Sequence, residues 1–219
     1  MEIKELQIIT TQLAETETFY NQILNLDTHD KTENEVSFLI GRTKLSFVLE
    51  ATTAQPVYHM AFDIPKNKLM EAYEWLKKRI KIISVTPETD FSSFELWNAK
   101  SFYFHDNNEN VLEFICRYDL DNESDSDFGG SSILAVTEIG LVSEDVPFLA
   151  ETIMSKYGLE VYEKQPARDN FTVLGDEQGL LILVNEDRNW YPTDQKAKSF
   201  PIKMIFNNGT AEDQELSIS

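Results

Sequence analysis

The chain has 219 residues, a formal charge of −19 at pH 7 and one cysteine, Cys116. That length supports one large domain or two small ones with real cores, while the single cysteine excludes an internal disulfide framework and a multi-cysteine zinc site. The acidity argues against nucleic acid or an anionic membrane as the main partner; no apolar run is long enough for a membrane span, and MEIKELQIITTQLAET lacks the basic start and apolar centre of a signal peptide, so a cytoplasmic protein is expected.

Taken in chain order, the segment from Glu5 to Leu26 begins as a short strand and continues as a helix, with Leu13, Phe19, Tyr20, Ile23 and Leu24 at roughly helical spacing. A second strand–helix copy starts at His59 and a third at Glu138. Each copy closes on an apolar strand: Leu45 to Val48, Leu112 to Ile115 and Leu181 to Val184. Alternating runs such as Val36 to Ile40 and Phe171 to Leu174 fill the interval, with turn residues at Gly41, Asn107 to Asn110 and Gly175 to Gly179. The repeat is therefore βαβββ, roughly 50 to 60 residues long, and its short turns predict antiparallel later strands. Tyr118 to Ser132 is acidic, rich in Ser and Gly, and reads as a linker. Phe200 to Phe206 resembles Val57 to Phe62, as if a fourth copy began and stopped after one strand.

The expected fold is α+β, built from repeated βαβββ modules: one complete pair forming a half-open barrel, then a third module and a truncated fourth. The boundaries read as paired modules over 1–117 (1–53 and 54–117), an acidic linker over 118–132, the third module plus a fourth first strand over 133–206, and a frayed polar tail over 207–219.

Phe19-Tyr20 followed by Ile23-Leu24-Asn25-Leu26 resembles the FY-x-x-x-LGL signature of the vicinal oxygen chelate superfamily, which includes glyoxalases, bleomycin-resistance proteins and extradiol dioxygenases. Ser101 to Arg117 resembles that family's YF-x-DPDGN-x-x-E ending. Two departures stand out. Asn25 replaces the Gly that ends the first helix, a position where Asn tolerates left-handed backbone. The turn at Asp106 to Asn110 has lost its Pro and Gly, so Asn108 or Asn110 is expected to take a positive φ.

The resemblance implies metal ligands on the first and last strands of paired modules. Transferred by position, those places are Glu5, Ser46, His59 and Glu113, of which Glu5, His59 and Glu113 are competent. Such a set suits Zn, Fe, Mn or Ni and leaves positions open for substrate. Strand alternation independently puts Glu113 with Val111 and Ile115, and His59 with Val57 and Ala61. An acid on an apolar face needs a partner, and either a metal or a histidine across the sheet would serve. The alternatives are a salt-bridged sheet-end acid for Glu113, a hydrogen-bonded core histidine for His59, and a surface ion pair with Lys4 for Glu5.

Phe91, Phe94, Trp97 and Tyr103 are expected either to wall a substrate pocket or to cap the core. His105 reads as a loop residue, His29 as solvent-exposed, and Cys116 as a small buried thiol on the face of Leu112 and Phe114. Glu138 holds the ligand place of the third repeat, but Ile182 and Lys203 fill the next two. That half therefore reads as metal-free, with a Glu138–Lys203 ion pair in its stead. No separate general base is identifiable.

The functional expectation is a divalent-metal-dependent enzyme of lyase, isomerase or ring-cleavage dioxygenase type, acting on a small oxygenated organic molecule. The alternative is a metal-free binding or sequestration protein of the bleomycin-resistance type, whose acidic cleft would favour a cationic ligand. A homodimer is compatible with the way modules of this family pair within and between chains.

Overall fold

The computed structural model describes residues 1–52 and 54–219. The first repeat comprises β1 (Glu2–Thr10), α1 (Leu13–Gln22), β2 (Thr28–Lys31), β3 (Glu35–Ile40) and β4 (Thr43–Leu49). The second comprises β5 (His59–Asp63), α2 (Leu69–Lys77), β6 (Ile82–Ile83), β7 (Phe91–Phe94), β8 (Ala99–His105) and β9 (Val111–Arg117). The third comprises β10 (Ala135–Ser143), α3 (Val146–Tyr157), β11 (Phe171–Asp176) and β12 (Gly179–Asn185), followed by β13 (Ile202–Asn207) and β14 (Gln214–Ile218). In each repeat the first strand runs parallel to the last, β1 with β4, β5 with β9 and β10 with β12, while the later strands are antiparallel. The mixed α+β architecture of repeated modules is as expected, with two large open sheets and, among the described residues, no closed barrel.

The partnership between repeats differs from the expectation. β5 pairs antiparallel with β10, joining the second and third repeats in an eight-stranded sheet, and β1 pairs antiparallel with β13 in a six-stranded sheet. A first strand exposes a free hydrogen-bonding edge that needs a partner. β13 supplies one for β1, burying Ile202, Met204 and Phe206 on alternate positions. The acidic segment 118–132 consequently leads from β9 to β10 within one sheet, with Phe128 buried against Trp75 and Phe114.

The C-terminal residues are not a frayed tail throughout. Leu216 is buried and β14 forms a hairpin with β13, because Leu216 and Ile218 restore an alternating pattern. The turn after β8 also differs: Glu109, rather than either asparagine, has the positive φ, 62°. The Asp106 carboxylate accepts from the backbone N–H groups of both Asn108 and Asn110, and so fixes the residues on either side of Glu109. Asn25 takes the left-handed conformation expected of it, at φ 53°.

One core runs beneath both sheets and the three α-helices, and strand alternation sorts residues to it. Met60, Phe62, Leu112, Phe114 and Cys116 enter this core. Their neighbours Ala61, Val111 and Ile115 face a second apolar cluster on the concave side of the eight-stranded sheet. Each large apolar side chain so buried contributes about 1.5–3 kcal/mol. α3 shows how the helices are held. Asp145 caps its first turn through Phe148 N–H at 3.0 Å, and Gly158 ends it in left-handed backbone. Among the described residues no helix is long and apolar enough to cross a membrane.

Candidate metal centre

The concave face of the eight-stranded sheet brings together His59, Glu113 and Glu138. Sheet register explains the meeting. Ala61 on β5 is paired with Glu113 on β9 and with Glu138 on β10, so the two carboxylates flank one methyl group. His59 stands two residues before Ala61 on the same face. One potential ligand atom from each of the three lies within 4.8 Å of the others, and all three residues are buried.

His59 Nδ1 is 3.0 Å from the Val111 carbonyl oxygen. A carbonyl only accepts, so Nδ1 carries the proton and the Nε2 lone pair faces Glu113 Oε2 at 3.6 Å. That distance is too long for a good hydrogen bond. Glu113 Oε1 is buried and makes no hydrogen bond among the described residues. Burial, and after it the charge of Glu138, raises the Glu113 carboxyl well above the usual range. Burial outweighs the same charge at His59 and lowers its pKa. The metal-free pair therefore favours a neutral acid beside a neutral imidazole over an ion pair.

Glu138 is held differently. Arg117 Nη2 donates to its Oε1, while Arg117 Nε donates to Asp63 Oδ1 at 3.1 Å. Thr137 Oγ1 donates to that same Asp63 oxygen at 2.9 Å. Burial opposes the Arg117 charge, but Glu138 and then Asp63 outweigh it and raise its pKa. Three buried carboxyl groups face one guanidinium here, so once an ion displaces the Glu113 proton the cluster can bring two net negative charges to a divalent cation. Mixed imidazole and carboxylate donors, an orphaned buried oxygen and a preset histidine tautomer fit a divalent first-row metal. The fourth place of the paired modules is Ile182, which lines the same cavity and cannot ligate.

That cavity, about 220 Å³, opens above the three residues. Phe94 and Trp97 stack at 5.5 Å along one wall, and Tyr103 and Tyr191 meet edge to face at 5.7 Å. Trp190 lies 5.7 Å from the His59 ring and so close to Gly140 that a Cβ there would overlap the indole. Phe171, Arg188 and Asn189 complete the rim.

The sequence expectations fare unevenly against this geometry. His59 and Glu113 come together, whereas Glu5 is exposed on the other sheet, in register with Lys44 and Ile205. Glu5 is displaced because the first repeat pairs with β13 and not with the second repeat. Glu138 faces Arg117, while Lys203 lies exposed beside Gln7 on the other sheet, so the expected Glu138–Lys203 pair does not form. Phe94, Trp97 and Tyr103 line the cavity. Phe91 does not: three residues from Phe94 in one strand, it faces the opposite side and packs on Tyr73 at 4.8 Å. Cys116 is buried, and burial pushes its thiol up to about 12. His29 is exposed, and His105 contacts the Glu109 carbonyl. Asp63 and Arg117 went unremarked in the sequence, although strand parity aligned them with His59 and Glu113.

No family model matches the sequence, and no curated protein matches it. Among solved structures, a candidate dioxygenase from Bacillus subtilis subsp. subtilis strain 168 is similar at TM-score 0.63 and 18% identity, over 84% of this chain. This chain spans 63% of the length of that structure. A lactoylglutathione lyase from Agrobacterium tumefaciens matches 51% of this chain and 90% of its own, at 20% identity and TM-score 0.43. A variant of a fosfomycin resistance protein from Listeria monocytogenes, complexed with Mn(II), matches 49% of this chain and 83% of its own, at 20% identity and TM-score 0.39. Over most of its length the chain shares the fold of that Bacillus subtilis structure, in keeping with the repeated modules read from the sequence.

Proposed function

We propose that this chain is a divalent-metal-dependent enzyme acting on a small oxygenated organic substrate, with lyase, isomerase or ring-cleavage dioxygenase chemistry. The observation that carries the reading is the buried convergence of His59, Glu113 and Glu138, with Glu113 Oε1 unpartnered beneath an aromatic cavity. His59 Nε2, Glu113 and Glu138 would hold the ion. A divalent ion there supplies Lewis acidity towards substrate oxygens.

The remaining work falls to the chain. The Val111 carbonyl orients the His59 ring, and Arg117 fixes the position of Glu138. Glu113, which lines the cavity floor, would serve as a proton acceptor for substrate only when it detaches from the ion. Phe94, Trp97, Tyr103 and Trp190 exclude water and present flat faces to a planar substrate.

One observation favours a second reading. Arg117 already answers the Glu138 charge without any metal, as a metal-free binding protein would require. Metal content separates the two. Protein purified without an affinity tag, then exposed to Zn, Mn, Fe or Ni and dialysed, should retain about one metal ion per chain, and His59→Ala should abolish it. Failure to retain any of the four metals would reject the enzyme reading and leave the binding protein.

A further inference from the structure

The cavity has two ends of unlike chemistry. Its floor presents Glu113 and Glu138, whereas its rim presents Arg188. The Arg188 guanidinium lies 4.9 Å over the Phe171 ring, and none of the ion pairs among the described residues involves it. Trp190, in the adjoining wall, buries an indole N–H with no acceptor. The rim thus offers one half-buried guanidinium with no carboxylate partner among the described residues. A guanidinium held against an aromatic face keeps its planar fork available to a carboxylate. Size narrows the ligand further: an apolar cavity of roughly 150 Å³ accommodates benzene, so about 220 Å³ takes one ring with short substituents.

We propose that the site selects a single-ring aromatic ligand bearing a carboxylate, with the carboxylate at Arg188 and an oxygenated ring edge towards His59, Glu113 and Glu138. The second half of that orientation rests on the metal-centre reading; the selection for ring and carboxylate does not. An anionic ligand replaces the cationic one that the overall acidity suggested, because Arg188 lines the cavity opposite its two carboxylates.

The test is a titration followed by quenching of tryptophan fluorescence, since Trp97 and Trp190 line the cavity. The probes are 3,4-dihydroxybenzoate and its uncharged isostere 3,4-dihydroxybenzamide, each added to metal-stripped and to Zn-loaded protein. The expected result is a carboxylate preference of about tenfold, the worth of one charge-assisted contact. Arg188→Met should lower carboxylate affinity far more than amide affinity, reducing that preference to nearly nothing, and Arg188→Lys should keep part of it. Equal binding of the two probes, binding of neither, or an undiminished preference in Arg188→Met would overturn the proposal. A carboxylate preference in protein that takes up no metal would sustain it while removing the metal-centre reading, so the two fail separately.

Discussion

Glu113 and Glu138 are both in register with Ala61, one from each side, so a methyl group is all that stands between two buried carboxylates. The gap that an ion would fill is therefore set by a residue that could never bind one. Ala61→Leu should close it by placing a branched side chain between the carboxylates, with every ligand still in the sequence. Overpacking of this kind costs about 1–3 kcal/mol, visible as a lower Tm, and Zn affinity measured by competition with a chelating dye should fall about 10- to 100-fold. Wild-type Zn affinity in a folded Ala61→Leu protein would mean that the carboxylates do not converge on one ion.

The two candidate third ligands can be told apart directly. Glu138→Gln removes a charge from the centre and leaves Arg117 with Asp63 alone; it should lose Zn at micromolar free metal. Glu5→Gln alters an exposed residue on the other sheet and should bind Zn as wild type does, with a stability change within about 0.5 kcal/mol. Equilibrium dialysis with elemental analysis reads both. The reverse pattern would restore the pairing of the first and second repeats.

The pH dependence of the metal-free protein follows from opposed shifts. The Glu113 carboxyl is raised by burial and by Glu138, so the folded state holds that proton more tightly than the unfolded chain. Its contribution to stability is complete below the ordinary value of 4.5 and is lost as pH rises through the folded value. Asp63, raised by burial against the pull of Arg117, adds in the same direction. His59, lowered by burial, contributes stability that disappears as pH falls below 6.5. Urea unfolding across about pH 5 to 9 should therefore show stability declining on the alkaline side, less steeply in Glu113→Gln. A divalent ion must displace the Glu113 proton, so Zn affinity should climb with pH, with close to one proton released per ion near neutrality. Calorimetry in two buffers of different ionisation enthalpy measures that proton; its absence would mean that Glu113 is already ionised.

Much of this centre was legible in the sequence, and the part that was not has a physical reason. A period of two along β5 and β9 puts His59 and Glu113 on inward faces whatever the partner strand. The same count carries Asp63 and Arg117, two residues beyond Ala61 and Ile115, into that interior. The identity of the partner strand was not legible. Repeats specify strands that present a free edge, and β1, β5, β10 and β13 present equivalent ones, so the pattern alone does not choose among pairings. That single ambiguity exchanged Glu5 for Glu138. Trp190, Tyr191 and Arg188 were hidden for another reason: they lie between β12 and β13 in a stretch without hydrophobic period, and only the folded sheet shows that this stretch roofs the cavity.

That roof suggests a substitution that leaves every candidate ligand in the sequence. Gly140 on β10 has no side chain where the Trp190 indole rests, and a Cβ would overlap the ring. Trp190 is buried and also stands beside His59, so it cannot retreat without opening the cavity wall. Gly140→Ala should cost about 1–3 kcal/mol through overpacking and shift tryptophan emission to the red as the indole is pushed towards solvent. Affinity for 3,4-dihydroxybenzoate should fall because one flat wall is displaced, while Zn binding should fall less, since the overlap falls on Trp190 and not on a candidate ligand. Unfolding curves, emission spectra and the two titrations give four independent readings on one variant. Unaltered emission with full ligand affinity would show that the stretch between β12 and β13 shifts freely and does not form the wall assigned to it.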